Sequence, residues 1–480
     1  MTTALVLFHS NLRLGDNTAL ARAAAEADAV VPVFILDEKN GRAPGAASRW
    51  WLHRSLERLA AALEKTGSPL ILRCGDTLAE VAALVSETGA EAVYLQHGYD
   101  PGVQEMEEQL HVWGQKNDVA VKRFGGQVLF RPEDISTQED KPYTVFSPFW
   151  RTCLKEPAQG ALVRTPKKLA RPDSLPASLA LDDLALLPEG YDWTGGLSDS
   201  FTPGEEAAYE VLDRFIEDGL ETYKDDRDRP DLAHSTSRLS PHLRFGEISP
   251  RTIWQRVHTA MAERPALERG GEHFLRELGW RDFSYHLLHH FPDLPTRALK
   301  PAFDDFPWRS GDADTLTAWQ QGQTGFPIVD AGMRQLWQTG WMHNRVRMIV
   351  ASFLVKELLL HWREGEAWFW DTLVDADPAS NTASWQWVAG SGADAAPYFR
   401  IFNPVLQGEK FDPAGDYVRR FVPEIADLPD TYIHKPWEAP RDLLDEAGIT
   451  LGTTYPEPLV DRKEARKRAL AAFETIKKDR

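Results

Sequence analysis

The stretch FLRELGWRDF, residues 274 to 283, sets Glu277, Trp280 and Arg281 at i, i+3 and i+4 of a helical pattern, so the three side chains share one face. A carboxylate, an indole plate and a guanidinium so placed can grip a flat polar ring joined to a phosphate. The bland alternative is a helical ion pair beside a core tryptophan. TGWMHNRVRM, residues 339 to 348, repeats the mixture: Asn344 and Met348 fall at i, i+4, and Arg345 lies three before Met348. Arg345 and Arg347 beside an amide and a thioether suit a cleft for an anionic, partly apolar ligand. His343 has no partner in view for acid–base work and reads as a structural histidine.

TSRLSP, residues 236 to 241, gathers Thr236, Ser237 and Ser240 around Arg238 and Leu239. Hydroxyls, backbone N–H groups and a guanidinium are the donors a pyrophosphate requires, although Ser/Thr clusters are also ordinary loops. Tyr223 and Arg227 upstream add a ring and a cation. In DADPASNTASWQW, Asp375 and Asp377 can hold basic side chains or accept from ribose hydroxyls; no His or Cys lies near to complete a soft metal site, and no metal is expected. Asn381 and Trp385 are one turn apart on a helix. Trp387, two positions on, is rotated by about 200° and faces the other way.

These residues need elements to carry them. Short apolar runs at 4–8, 30–36, 69–73, 92–95 and 119–124 alternate with helical patterns such as residues 48–66, which predicts a parallel sheet with crossover helices, a Rossmann-like α/β domain over 1–130. The turn after the first run, HSNLRLGDN, contains no GxGxxG. Residues 131–200 carry scattered Pro, Ser and Asp and read as an interdomain connector. From 201 to 480 strand patterns largely vanish and a helical domain is expected. Thr202, Pro203 and Glu205 resemble a capping box, Ser249–Pro250 a second helix start, and DRKEARKRALAAFETIKKDR a solvated terminal helix.

The bulk numbers bound the function. A chain of 480 residues, 42% hydrophobic, fills more than one core. No 18-residue apolar span and no signal-peptide pattern is present, so a cytoplasmic protein without membrane contact is expected. Two cysteines supply neither a disulfide framework nor a thiolate cluster. A net charge of −18 weighs against diffuse attraction to nucleic acid and leaves room for a local basic site. Seventeen tryptophans, most of them after residue 250, are first read as a helical core filled with large rings.

Together TSRLSP, ELGWRDF, TGFPIVDAGMRQLWQTGWMHNRVRMIVASFLVK, DADPASNTASWQWVAGSGADAAPYFRIFNP and QGEKFD resemble the photolyase/cryptochrome family, and within it the class I cyclobutane pyrimidine dimer (CPD) DNA photolyases. The resemblance implies an α/β N-terminal domain and an all-α C-terminal domain that binds FAD in reduced, anionic form. It implies FAD contacts at Tyr223, Thr236, Ser237, Arg238, Leu239, Ser240, Phe274, Arg281, Asn344, Arg347, Asp375 and Asp377, with Asn381 at the reactive flavin nitrogen. Phe274 stands where relatives commonly have Trp.

By the same resemblance Trp385, Trp362 and Trp308 form an electron relay, which answers why two indoles on one helix face opposite ways: Trp387, with Trp280, walls the pocket for a flipped-out dimer. The implied reaction is light-driven electron transfer from FAD to the dimer, bond splitting, and return of the electron. Glu277 steadies the charge that appears on the dimer, and Met348 packs on it. Arg227, Arg345, Arg347, Arg400, Gln407 and Lys410 are the implied contacts to DNA. A small basic rim reconciles an acidic chain with DNA, and a monomer is expected. An antenna chromophore, of unidentified kind, and its absence both stay open, because Gly102 and Val103 stand where folate-binding relatives have an Asn-Glu pair and the arginines of deazaflavin binders are missing. Asn344 and Met348 favour CPD over (6-4) photoproducts, a chain ending soon after the helical domain favours repair over a cryptochrome photoreceptor, and two cysteines exclude an iron–sulfur photolyase.

Overall fold

The computed structural model describes residues 2–156, 161–188, 190, 192–310, 313–395 and 399–477. Residues 396–398 of the motif SGADAAPYFR, residues 157–160, 189 and 191 of the expected connector and the last three residues of the terminal helix lie outside them. The chain forms two compact units: residues 1–221, 237–292 and 374–379 make the first, and residues 222–236, 293–373 and 380–480 the second.

In the first unit β1 (Thr3–Phe8), β2 (Ala29–Leu36), β3 (Ile71–Cys74), β4 (Ala92–Gln96) and β5 (Ala120–Phe124) form one parallel sheet in the order β3-β2-β1-β4-β5. The crossovers are α1 (Thr18–Glu26), α2 (Ala46–Thr66), α3 (Thr77–Thr88) and α4 (Pro101–Lys116). β1 and β2 are buried along their whole length, as expected of strands covered on both faces. Pro32 sits inside β2, where a missing N–H should break a ladder. It is tolerated because Val30, whose main-chain groups point the same way, bonds to Ala170 rather than to β3, and the β3 ladder begins only at Val33.

The stretch read as a connector is stitched to this sheet and to the end of α2. Leu169 N–H donates to Thr66 O at 2.9 Å, and Leu179 N–H to Leu72 O at 2.9 Å. The expected capping box does not form. The helix α6 (Glu205–Asp218), numbered after α5 (Phe146–Cys153), starts one residue past Gly204. The Glu205 carboxylate instead accepts from Leu14 N–H at 2.7 Å and Gly15 N–H at 2.8 Å. Those donors in the turn after β1 would otherwise be left buried and unpaired, which costs more than a surface cap gains. Ser249 does cap its helix, accepting from Thr252 N–H ahead of Pro250.

The helices α7 (Ser240–Phe245), α8 (Pro250–Glu263) and α9 (Glu268–His290) complete the first unit. Arg13, 1% exposed, donates to Gly246 O at 2.8 Å and to Gln96 Oε1 at 3.2 Å. A Cβ at Gly246 would lie 2.0 Å from Ser10 O, so only glycine permits this approach.

The second unit is helical: α10 (Pro327–Thr339), α11 (Asn344–Ser352), a π-helical turn at Phe353–Glu357, α12 (Trp362–Thr372), α13 (Pro378–Ala389, from Ser380 on), α14 (Pro404–Phe411) and α15 (Arg462–Lys477) carry its main features. No helix among the described residues is long and apolar enough to cross a membrane.

Candidate functional site

The first unit brings together one group of the expected residues. Arg238 adopts a left-handed backbone, φ 55°, that costs free energy in a residue with a Cβ. The turn is held by Leu239 N–H donating to Ser237 Oγ at 3.4 Å, and the Arg238 guanidinium lies 4.4 Å from the centre of the Phe201 ring. Leu239 is buried, and Ser240 opens α7.

On α9, Phe274 is buried against Phe215, while Trp280 lies flat on Phe146 with ring centres 3.8 Å apart. Glu277 is half-buried on the same helix. Arg281 donates to Gln127 O at 2.6 Å and sits 4.8 Å from the Tyr285 ring centre. Tyr285, fully buried, receives an N–H from Gln127 Nε2 at 3.1 Å and donates its hydroxyl to Asp377 Oδ2. Burial together with the Asp377 charge pushes the Tyr285 phenol up, which keeps it a donor. Arg244 Nε holds the neighbouring Ala376 O at 2.6 Å, so the buried Asp375 and Asp377 are fixed from side chain and main chain alike.

The second unit carries the other group. His343, 3% exposed, caps α11 by accepting from Arg345 N–H at 3.2 Å, the structural role expected of it; burial lowers its pKa to about 4. Asn344 is exposed at the start of α11, and Met348 is half-buried one turn on. Arg345 pairs with Asp228 at 2.6 Å and lies 4.4 Å from the Phe411 ring centre, while Arg347 donates to Met342 O at 2.7 Å. Arg227 sits 5.5 Å from the Tyr223 ring centre, Tyr223 itself is buried, and Thr236 is half-buried. On α14, Lys410 is exposed 4.9 Å from the Phe411 ring centre, and Gln407 Oε1 is buried without a hydrogen-bond partner among the described residues.

Helix α13 organises this group. Asn381 Nδ2 donates to Glu366 Oε1 at 2.7 Å and to Glu366 O at 3.1 Å. Both partners only accept, so the amide orientation is fixed and the oxygen Oδ1 is the end left for a donor. One turn on, Trp385 is 2% exposed, edge-on to Phe369 at 5.0 Å and to Trp319 at 6.3 Å. Its seat is Gly365 on α12, where a Cβ would fall 2.0 Å from the ring atom Cη2. Trp387 is half-buried on another face, donates to Asp394 O at 3.1 Å, and lines a hollow with Lys356 and Arg400. Trp362 is buried and Trp308 half-buried; the ring of His361 lies 5.6 Å from the first and 5.2 Å from the second.

Sequence reasoning missed Tyr285, Glu366, Gly365, His361 and Lys356. An isolated glycine in the helical WREGEAWFW was a usable signal for Gly365. Nothing local marked Glu366 or Tyr285, whose partners lie 15 and 92 residues away.

An N-terminal parallel α/β sheet precedes a helical unit rich in indoles. The chain belongs to the photolyase/cryptochrome family. Residues 4–171 match the family described as DNA photolyase, and residues 274–475 the one described as FAD binding domain of DNA photolyase. A deoxyribodipyrimidine photo-lyase of Agrobacterium fabrum is 50% identical over 99% of this chain and 98% of its own. Cryptochrome-2 of Arabidopsis thaliana is 38% identical over 96% of this chain and 77% of its own. The crystal structure of a bacterial class III photolyase from Agrobacterium tumefaciens, 49% identical, superposes with a TM-score of 0.96 over 100% of this chain and 98% of that one.

Proposed function

We propose that this chain is a CPD photolyase that repairs pyrimidine dimers in DNA with light. The observation that carries the reading is helix α13: Asn381 is locked so that it offers an acceptor, Trp385 is buried on one side, and Trp387 faces a cationic hollow on another. An acceptor is what the N–H of a reduced flavin ring needs, and the hydroxyl and guanidinium donors at Ser237, Arg238 and Ser240 suit a pyrophosphate, so the residues fit FAD.

Bound in reduced, anionic form, FAD supplies the light-excited electron. Asp377, held by Tyr285, fixes and orients the cofactor with Arg281, and Tyr223, Thr236, Leu239, Phe274, Asn344, Arg347 and Asp375 complete its proposed contacts. Trp280, Trp387 and Met348 exclude water from the dimer. Glu277 hydrogen-bonds the dimer and steadies the charge that develops on it. Arg227, Arg345, Arg400, Gln407 and Lys410 hold the sugar-phosphate strand. Trp385, Trp362 and Trp308 return electrons to an oxidised cofactor.

We propose the class III rather than the class I branch, because the bacterial class III photolyase from Agrobacterium tumefaciens matches this chain at 49% identity over its whole length. A monomer working in the cytoplasm, with domain limits at 130 and 200, completes the reading. The test mixes photoreduced protein with dimer-containing oligothymidylate under blue light and follows the return of thymine absorbance. Recovery supports repair; none, with reduced FAD bound, moves the reading to a photoreceptor.

A further inference from the structure

The helix α5, inside the stretch read as a connector, delivers a ring to the back of the expected substrate wall. Phe146, on its first turn, is fully buried and lies flat on Trp280 of α9, with ring centres 3.8 Å apart and planes 9° apart. Trp150, one turn further along α5, is inclined by only 12° to the Phe146 plane. Phe283 meets both Phe146 and Trp280 edge-on, at 5.8 Å from each.

The sequence explains how the two helices come so close. Gly279, the residue before Trp280, would carry a Cβ 2.5 Å from Cε3 and Cζ3 of Trp150, well inside carbon–carbon contact. A larger residue there would push α5 away and lift Phe146 from Trp280. Phe149 packs on Phe283 at 5.1 Å and on His286 at 5.0 Å, and Tyr143 N–H donates to His286 Nε2 at 3.0 Å, which anchors the rest of the segment to α9.

This packing does for Trp280 what a hydrogen bond does for Trp387. The Trp387 N–H donates to Asp394 O at 3.1 Å and fixes that ring, whereas the Trp280 N–H meets no acceptor among the described residues. A half-buried indole without a bonded N–H can change rotamer unless a neighbour blocks it, and a stacked ring is such a block. We infer that Phe146 is a positioning residue for dimer recognition: it covers one face of the Trp280 ring and fixes its plane, so that the opposite face is the one offered to the pyrimidine dimer. Being fully buried, Phe146 acts only through Trp280. The inference rests on the proposed repair reading and adds to it a residue that works behind the wall. The rival is a ring that merely fills core.

Dimer selectivity separates the two. Binding of a dimer-containing oligothymidylate, and of the same strand without a dimer, is followed by fluorescence anisotropy on protein with full FAD content. Phe146→Leu removes the plate and keeps an apolar side chain. It should weaken dimer binding about tenfold, the order of one base stacked on one ring, and leave binding of the undamaged strand within about twofold. In repair assays KM should rise by the same factor while the yield per absorbed photon at saturating dimer is kept, the signature of lost binding rather than lost chemistry. Added to Trp280→Leu, the same change should cost nothing further, because its effect passes through the indole.

A core-filling ring predicts that both affinities fall together with stability, or that neither falls. Either result overturns the positioning role, and so does an undiminished loss in the Trp280→Leu background. If Phe146→Leu does not fold, Phe146→Met takes its place, a flexible side chain that fills gaps without a plane. Wild-type dimer affinity in that variant overturns the role as well. Wild-type protein that binds both strands equally would refute the repair reading itself, an outcome visible before any variant is made.

Discussion

Replacing Gly365 by alanine tests the seat of Trp385 more sharply than removing the indole does. The added Cβ would stand 2.0, 2.5 and 2.6 Å from Cη2, Cζ3 and Cζ2 of the ring. Carbon atoms pack at about 3.5–4.0 Å, so ring or helix must retreat by about 1.5 Å. The ring has little room, being 2% exposed and held edge-on by Phe369 and Trp319. Overpacking of this kind costs about 1–3 kcal/mol, while alanine for glycine inside a helix returns about 1 kcal/mol. The net expectation is a loss of up to about 2 kcal/mol and a fall of up to a few degrees in Tm.

In a Trp385→Phe background the sign should reverse. Phenylalanine lacks the outer ring that the new Cβ meets, so Gly365→Ala becomes neutral or stabilising by up to about 1 kcal/mol. The assay is a double-mutant cycle of thermal unfolding, with photoreduction of bound oxidised FAD as a second readout. The displaced indole should slow photoreduction in the single variant. Additive stabilities, or a Gly365→Ala protein as stable and as readily photoreduced as the parent, would refute the packing argument.

Trp385→Phe alone should slow photoreduction far more than it lowers repair by chemically pre-reduced protein; parallel losses, measured by flavin absorbance and thymine recovery, would remove Trp385 from the relay. Asp282, fully buried below the helix face that carries Arg281, accepts N–H from Leu129 and Phe130, and burial raises its pKa to about 7. A carboxyl raised in the folded state binds its proton more tightly there than in the unfolded chain, so its contribution is fully present below about pH 4 and is lost as pH rises to about 7. Asp282→Asn should therefore gain in stability relative to wild type across that window by a few kcal/mol at most, read as Tm against pH; a Tm difference that does not vary with pH would contradict the buried-charge account.

What the sequence determined by itself is the part fixed by short-range periodicity. Apolar runs specified the five strands and their crossovers, most plainly β1 and β2, because a strand covered on both faces has to be apolar throughout. Helical spacing put Glu277, Trp280 and Arg281 on one stretch of α9, and the two-residue step put Trp385 and Trp387 on different faces of α13. Motif resemblance carried the family.

Tertiary structure alone decided who meets whom. Glu205 matched a capping box locally, yet buried N–H groups of Leu14 and Gly15 claimed its carboxylate across 191 and 190 residues of sequence. Asn381 was legible as an amide on a helix, but which end it presents depends on Glu366 from α12. Tyr285 behind Asp377 was silent in the sequence for the same reason, and the isolated Gly365 was visible there without the ring of Trp385 that it seats. A pattern along the chain records which face of an element avoids water, whereas the partner of a buried polar group is set by how separate elements pack, and that packing is what holds these side chains in place.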